Sequence, residues 1–411
     1  MNKVNTGTII AERLKVRGAS SGVLSGRSFV AKDNFDVAGY STGAGVPDWK
    51  KTHAPASASA PAVVALLDAG AELVGKACMD ELAFSLDGIN MHFGTPPNPN
   101  LPGCIPGGSS SGSASAVASA LCDFAIGTDT AGSVRVPGAF CGIYSMRPTH
   151  GRISTEGVVP LGPSFDTVGL FARDPQLLAL CGGVLLATNH ASKGAGRDQN
   201  NETGEGTSDD FVVSEIKLFQ NAMDLLDPSL KEPFLQALSN LSLRTDSKSL
   251  VALPAEMLPR WLALLDTIRS WEAWQYFGAW IVDSKPHMQE LMRQRVLQCR
   301  DVTETDMQRA RSAHAEALAF IDEWIGESVI CFPTTFNWPL PCSSSDSERA
   351  FHRSKNLQLT ILAGIGGLPQ INIPIVLPGF PARFGLSLLA KRGADERLLA
   401  LVQNEVLCHR L

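Results

Sequence analysis

Apolar and polar residues come in short alternating blocks over the first 130 positions. Ser28–Lys32 (SFVAK) reads as a strand that runs into Asp33 and Asn34. Ser59-Ala60-Pro61 offers an N-cap followed by proline in the first turn, which predicts a helix over 62–69 with Gly70 as its stop. Glu72–Lys76 is a second strand, and a short helix is predicted over 79–85. Strands and helices taking turns in this way predict an α/β fold, with a mixed but mostly parallel central sheet covered by helices on both faces. From Gly88 to Gly138 the chain is rich in Gly, Ser, Thr and Pro, yet 114–121 is too apolar and 122–127 too strand-like for a linker. Ordered loops around one helix and one strand are expected there. From about 257 to 325 the pattern is helical and carries Trp261, Trp271, Trp274, Trp280 and Trp324. Aromatic residues at helical spacing are core residues as a rule, although such a cluster also suits an aromatic-lined pocket.

Two stretches invite other readings. No charge falls between Lys355 and Arg383, and 357–378 is mostly apolar. Gly364, Gly366, Gly367, Pro369, Pro374 and Pro378 cut it into pieces too short for a lipid-spanning helix of ~20 residues, so buried parallel strands are predicted. The segment 191–210 is polar and glycine-rich, and reads as a surface loop or disordered insert.

With 411 residues, 44% hydrophobic and 18% charged, the chain can bury a sizeable core. A net charge of −6 gives no basic excess to suggest nucleic acid or an anionic membrane as partner. The nine cysteines contain no C-x-x-C pair, which argues against a disulfide framework or a zinc site and suits reduced core thiols in the cytoplasm. The first 17 residues scatter Lys3, Glu12, Arg13, Lys15 and Arg17 through the segment, so no signal peptide is expected.

Phosphate loops of the G-x-x-x-x-G-K type, the G-x-G-x-x-G dinucleotide fingerprint and H-E-x-x-H are all missing. No cofactor and no metal are expected. Gly107-Gly108-Ser109-Ser110-Ser111-Gly112 contains a G-x-S-x-G match, but three prolines just before it rule against the strand that a nucleophile elbow requires. A serine-rich loop entering a helix instead gathers hydroxyls and free N–H groups. Downstream, Gly127-Thr128-Asp129-Thr130-Ala131-Gly132-Ser133 places small residues before a serine. That suits a nucleophile beside converging backbone N–H groups, and by spacing alone it suits a plain glycine-rich turn equally well.

Taken together, Lys32, the Gly107–Ser110 loop, Asp129 to Arg135, Cys141-Gly142 and Arg147-Pro148-Thr149 resemble the amidase signature family. Gly75 to Glu81, Ser164 to Gly169, Pro333-Thr334-Thr335 and Gly367-Leu368-Pro369 extend the resemblance over most of the chain. Within that family the compact length, with Gly278 to Ile281 and Lys285-Pro286, is similar to plant-type indole-3-acetamide amidases. The resemblance implies one amidase domain over 1–411. Its signature core lies at about 25–175 and a helical substrate-pocket region at about 255–330. It implies Ser133 as nucleophile, Ser109 as the bridging serine in a cis peptide, and Lys32 as base. Backbone N–H groups of Thr130, Ala131, Gly132 and Ser133 would hold the oxyanion, and Ala83 would lie near the bound amide. Ser110, Asp129 and Arg135 would brace the loop. Ala131 stands where the family usually has glycine.

A lysine base must be neutral, which from ~10.4 requires a pKa depression of two to three units. Burial at the end of Phe29-Val30-Ala31 can provide it. Asp33 would stabilise the ammonium if it shared that face, but successive strand residues point to opposite faces. The expected activity is hydrolysis of small primary amides, indole-3-acetamide or related aryl-acetamides among them. Two alternatives are the amidase-type subunit of a tRNA-dependent amidotransferase and a non-catalytic amidase-like scaffold. The expected partner is the small amide itself, without nucleic acid or membrane; a homodimer is compatible with the sequence.

Overall fold

The computed structural model describes residues 6–192, 216–240 and 248–406. Most of the insert at 191–210 therefore lies outside the described residues. The strands are β1 (Ile10–Val16), β2 (Ser28–Lys32), β3 (Glu72–Ala77), β4 (Phe124–Asp129), β5 (Tyr144–Arg147), β6 (Thr167–Ala172), β7 (Ile216–Phe219), β8 (Lys248–Val251), β9 (Val329–Pro333), β10 (Gln370–Val376) and β11 (Arg383–Leu389). They form one sheet in the order β1-β3-β2-β4-β6-β5-β10-β11-β9-β7-β8.

The mixed α/β architecture is the expected one, but the sheet is not mostly parallel. Among the described residues four neighbouring pairs are parallel and six antiparallel. The connections explain this. β2 pairs in parallel with β3 and β4, and helices Pro61–Asp68 and Ser111–Ala118 lie on the intervening chain. β5 and β6 are joined without a helix, and β10 and β11 form a hairpin, so both pairs run antiparallel.

Helix Pro61–Asp68 starts at Ala60 rather than Ser59, because the Ser59 hydroxyl accepts the Ala38 N–H at 2.9 Å. It ends before Gly70, whose φ of +96° lies in a region that glycine enters freely. The predicted helix at 79–85 shrinks to one 3-10 turn, Glu81–Ala83. The apolar stretch at 357–378 departs further from expectation. Its first part is the buried second half of helix Asp346–Gly366, and only Gln370–Val376 is a strand, antiparallel to both neighbours. The helix begins earlier than the apolar run suggests, because Ser345 and Glu348 form a capping box in a polar segment. Among the described residues no helix is long and apolar enough to cross a membrane.

Helices cover both faces. Pro61–Asp68, Pro175–Ser192 and Asp395–Val406 contribute to one large apolar core, which includes Phe29 and Phe124 stacked at 5.2 Å. Met257–Ser284, Glu304–Ile325 and Asp346–Gly366 build the second, around Trp261, Leu265, Ile321 and Phe332. Ser111–Ala118 is made of Ser, Gly, Ala and Val, and 111–117 are all buried. A Cβ on Gly112 would stand 2.5 Å from Cys78 N and from Ile9 O, so the small residues let this helix lie almost in contact with the sheet backbone. The described cysteines are all free thiols.

Candidate active site

Strand alternation places the first functional group. Lys32 ends β2 with its side chain wholly buried, and Nζ donates to Ser109 Oγ at 2.7 Å and to Thr128 Oγ1 at 2.8 Å. Burial lowers its pKa to about 7, against the opposing pull of Asp80, Asp166 and Asp129. Asp33 points to the other face, as expected. There it pairs with Lys76 at 3.0 Å and accepts the Gly43 N–H at 3.3 Å, away from Lys32.

Ser109 follows a cis peptide from Gly108 and is fully buried. The Asp80 N–H donates to its carbonyl at 3.2 Å, while Asp80 Oδ2 accepts the Gly88 N–H at 3.0 Å. Burial holds the Asp80 carboxyl well above the usual carboxylate range. Ser110 Oγ donates to Thr128 O at 3.2 Å, and the Ser110 N–H donates to Ser133 O at 3.2 Å. The serine loop is thereby tied to both β4 and the loop that carries Ser133.

That second loop is organised by Asp129, the last residue of β4. Its Oδ1 accepts the Gly132 N–H at 2.8 Å, Arg135 Nη2 at 2.8 Å and Arg147 Nη1 at 2.9 Å. Its Oδ2 accepts Val134 N–H and Arg135 Nε, both at 3.0 Å. Burial alone would raise this carboxyl, but Arg135, Arg147 and the hydrogen bonds hold it well below its ordinary range. Arg135 Nη1 continues to Thr360 O and Gln370 Oε1, each at 2.7 Å. Thr360 Oγ1 donates to Ala131 O at 2.5 Å, and the Thr130 hydroxyl donates to Asp166.

The expected oxyanion set needs one correction. The Gly132 N–H already serves Asp129, so it is withdrawn from the site. Gly132 instead provides its backbone shape: φ is +136°, and a Cβ there would stand 3.0 Å from Thr360 Oγ1.

A family model described as Amidase matches residues 5–399. The chain belongs to the amidase family. It is an amide-hydrolysing enzyme, 37% identical over 395 residues to Amidase 1 of Arabidopsis thaliana, covering 93% of this chain and 92% of the relative. A solved structure described as a crystal structure of amidase superposes with a TM-score of 0.78 at 25% identity, covering 93% of this amidase and 84% of that chain. A further relative overturns one expectation. It is Translocon at the outer membrane of chloroplasts 64 of Pisum sativum, 32% identical over 388 residues, covering 92% of this chain and 65% of the relative. A relative this similar, named for an organelle membrane, means that unpaired cysteines do not assign this amidase to the cytoplasm. That location does not stand.

Ser133, only 4% exposed, opens with Thr130, Ala131 and Ala83 onto a cavity of about 360 Å³. Ala83 has a φ of +62°, and its N–H donates to Asp80 O at 3.0 Å. The far wall comes from the helical region and includes Arg269, Ser270, Arg295 and Cys299. Among the described residues no tryptophan lines it. Trp261 packs in the second core, and Trp280 stacks edge-on against Trp49 at 4.8 Å while donating to Thr52. Among the described residues Phe84 is the one aromatic face lining the cavity, with the Arg269 guanidinium 5.3 Å above its ring. Among the described residues no group of His, Cys, Asp and Glu is placed to hold a metal ion.

The sequence reading passed over Thr128, Asp166, Thr360 and Gln370. Asp166 stands inside the Ser164–Gly169 block of the resemblance and Thr128 in the glycine-rich stretch before Ser133, so their positions are visible in the sequence but their roles are not. Thr360 and Gln370 lie more than 200 residues from the loop they brace, and no local pattern announces them.

Proposed function

We propose that this amidase cleaves the C–N bond of small primary amides through an acyl-enzyme on Ser133, with Lys32 as base and Ser109 as the relay. One observation carries this reading: a wholly buried lysine amine 2.7 Å from a buried serine hydroxyl. An amine with a pKa of about 7 is substantially neutral at physiological pH and can accept the Ser109 proton through its lone pair. Thr128 Oγ1 takes one amine N–H and so fixes which way the lone pair turns. Ser109 then withdraws the proton of Ser133, and Ser133 Oγ attacks the carbonyl carbon. The N–H groups of Ala131 and Ser133 receive the oxyanion, with Thr130 beside them. Losing one such donor elsewhere lowers kcat by ~10²–10³-fold. Ser109 returns a proton to the departing ammonia, and water releases the acid by the same route.

We read the whole chain as one catalytic unit in which the signature core at about 25–175 provides the reacting groups and the helices at about 255–330 provide the wall. Asp129, Arg135 and Ser110 act by holding the two loops. The resemblance to plant-type amidases supports an aryl-acetamide such as indole-3-acetamide, and the Phe84 ring offers it a face; the tryptophans lend no support. Ammonia release from indole-3-acetamide, phenylacetamide, butyramide and asparagine, run beside Ser133→Ala, tests the reading. Release by the wild type that Ser133→Ala abolishes is expected. Equal release by the variant would remove Ser133 from the chemistry.

A further inference from the structure

A second cavity, of about 340 Å³, shares no lining residue with the one beside Ser133 among the described residues. One side of it is the chain just past β2. There the Asp36 N–H donates to Gly157 O at 2.7 Å and the Val159 N–H to Asn34 O at 2.8 Å, which fixes Asp36 and Val159 in the lining. Another side is a stack of rings. Trp49 lies 3.9 Å from the His53 ring and 5.9 Å from the Tyr276 ring, with the planes within 14° and 22° of parallel. Asp36 brings a negative charge to this wall. Thr42 Oγ1 donates to its Oδ1 at 2.5 Å, and among the described residues no cation lies within ion-pair distance. The neighbouring lysines are engaged elsewhere. Lys76 reaches Thr42 Oγ1 at 3.2 Å but pairs with Asp33 at 3.0 Å, Lys50 pairs with Glu12 at 2.7 Å, and Lys51 with Asp48 at 2.8 Å. Two more acceptors line the cavity. His53 Nδ1 donates to Trp49 O at 2.8 Å, so the neutral ring keeps its lone pair on Nε2, which has no partner among the described residues. The Tyr276 hydroxyl has none there either, and burial, then the Asp36 carboxylate, raises its pKa, which sets the phenol in the field of that charge. A carboxylate, an imidazole nitrogen and a phenol oxygen match the three N–H donors of a primary ammonium. The ring stack and Val159 suit an organic cation better than a hydrated metal ion.

We propose that this cavity is a binding site for a small organic primary ammonium, whose charge meets Asp36 and whose carbon skeleton lies against His53, Tyr276 and Val159. The site is separate from the Ser133 cavity, and its occupancy does not depend on the acyl-enzyme reading. It is also close in the chain to the base. Asn34, two residues before Asp36, donates from Nδ2 to Val159 O at 3.3 Å and to Thr128 Oγ1 at 3.1 Å, the same oxygen that holds the Lys32 amine.

Calorimetric titration of the full chain tests this. The probes are n-butylammonium and 2-phenylethylammonium, each beside the alcohol of the same skeleton, 1-butanol and 2-phenylethanol. At least one ammonium is expected to bind roughly tenfold or more tightly than its alcohol. Asp36→Asn keeps an oxygen for the Thr42 hydroxyl and removes the charge, and is expected to erase that preference. Tyr276→Leu, at a side chain 46% exposed, is expected to weaken ammonium binding roughly threefold or more. Equal binding of ammonium and alcohol, no binding of either ammonium, or a preference that survives Asp36→Asn overturns the proposal. If Asp36→Asn does not fold, Tyr276→Leu decides, and unchanged ammonium affinity in that variant overturns it. A lysine peptide blocked at both ends that binds more tightly than both amines would give the cavity to a protein side chain, and overturns it as a small-molecule site.

Discussion

Arg135 and Asp129 meet through two hydrogen bonds, Nε to Oδ2 at 3.0 Å and Nη2 to Oδ1 at 2.8 Å, with both side chains wholly buried. The loop that presents Ser133 is wrapped around this pair, since Asp129 also takes the N–H groups of Gly132 and Val134.

Replacing Asp129 by Asn leaves Arg135 and Arg147 buried without their counter-charge. Breaking a buried pair in this way destabilises by ~3–5 kcal/mol. The urea midpoint, followed by tryptophan fluorescence, is expected to fall accordingly. The pH dependence has a definite sign. Pairing depresses the folded-state pKa of Asp129, so its stabilisation is complete above ~3.9 and is lost as pH drops through the lower folded value. Asp129→Asn is expected to lack this acid-side loss.

For Lys32 the shift is also downward but the group is a base. With a folded pKa of about 7 and an unfolded value of ~10.4, the unfolded chain holds the extra proton between those limits. Stability therefore rises with pH across that window, by up to ~1.4 kcal/mol per unit. Lys32→Met is expected to show no such slope in paired urea titrations at pH 7 and 9. Over the same range wild-type kcat/KM is expected to climb along one limb with its midpoint near 7. Lys32→Ala is expected to lose ~10²–10⁴-fold. Full activity in Lys32→Ala, with control by a group near 6.5, would discard the relay.

On the opposite face of β2, Lys76 and Asp33 form a second buried pair at 3.0 Å. Lys76→Met strands the Asp33 carboxylate and is expected to lower stability by ~3–5 kcal/mol. Combining it with Asp33→Leu is expected to recover most of that loss, because no charge is left buried. A double variant no more stable than Lys76→Met would show that the pair does not act as a unit.

Gly132 offers a test on kcat. Alanine there meets Thr360 Oγ1 at 3.0 Å in a conformation with φ of +136°. Strain of ~1–3 kcal/mol in the nucleophile loop is expected to reduce kcat by about tenfold or more. Steady-state kinetics with a kcat equal to wild type would mean that the loop accepts a side chain there.

Much of this site was legible in the chain. SFVAK predicts a strand ending on a buried lysine, and β2 ends there with Lys32 on one face and Asp33 on the other. The Gly-Ser loop entering a helix is ordered because Ser, Gly and Ala pack flat against the sheet, a property of side-chain size that composition shows directly. The hairpin of β10 and β11 was hidden because an apolar run bounded by glycine and proline carries no sign of strand direction. The oxyanion assignment failed at Gly132 because the destination of a backbone N–H depends on where Asp129 turns. The tryptophans pack in the cores, as helical spacing suggests, and the residues that do line the cavity could not be picked out from the chain. Tryptophans are conspicuous in a sequence, whereas Arg269, Arg295 and Arg353, from three separate helices, converge only in space.

The nucleophile loop is fastened to Thr360 and Gln370 through Arg135. A ribosome delivers the N-terminal end first, so Lys32, Ser109 and Ser133 all leave the exit tunnel long before those two residues have been polymerised. During that interval the newborn polypeptide carries the proposed reacting side chains without the carbonyl and amide oxygens that seat the guanidinium. Translation has to pass residue 370 before that anchorage can form, and a fragment ending before residue 360 is expected to release no ammonia.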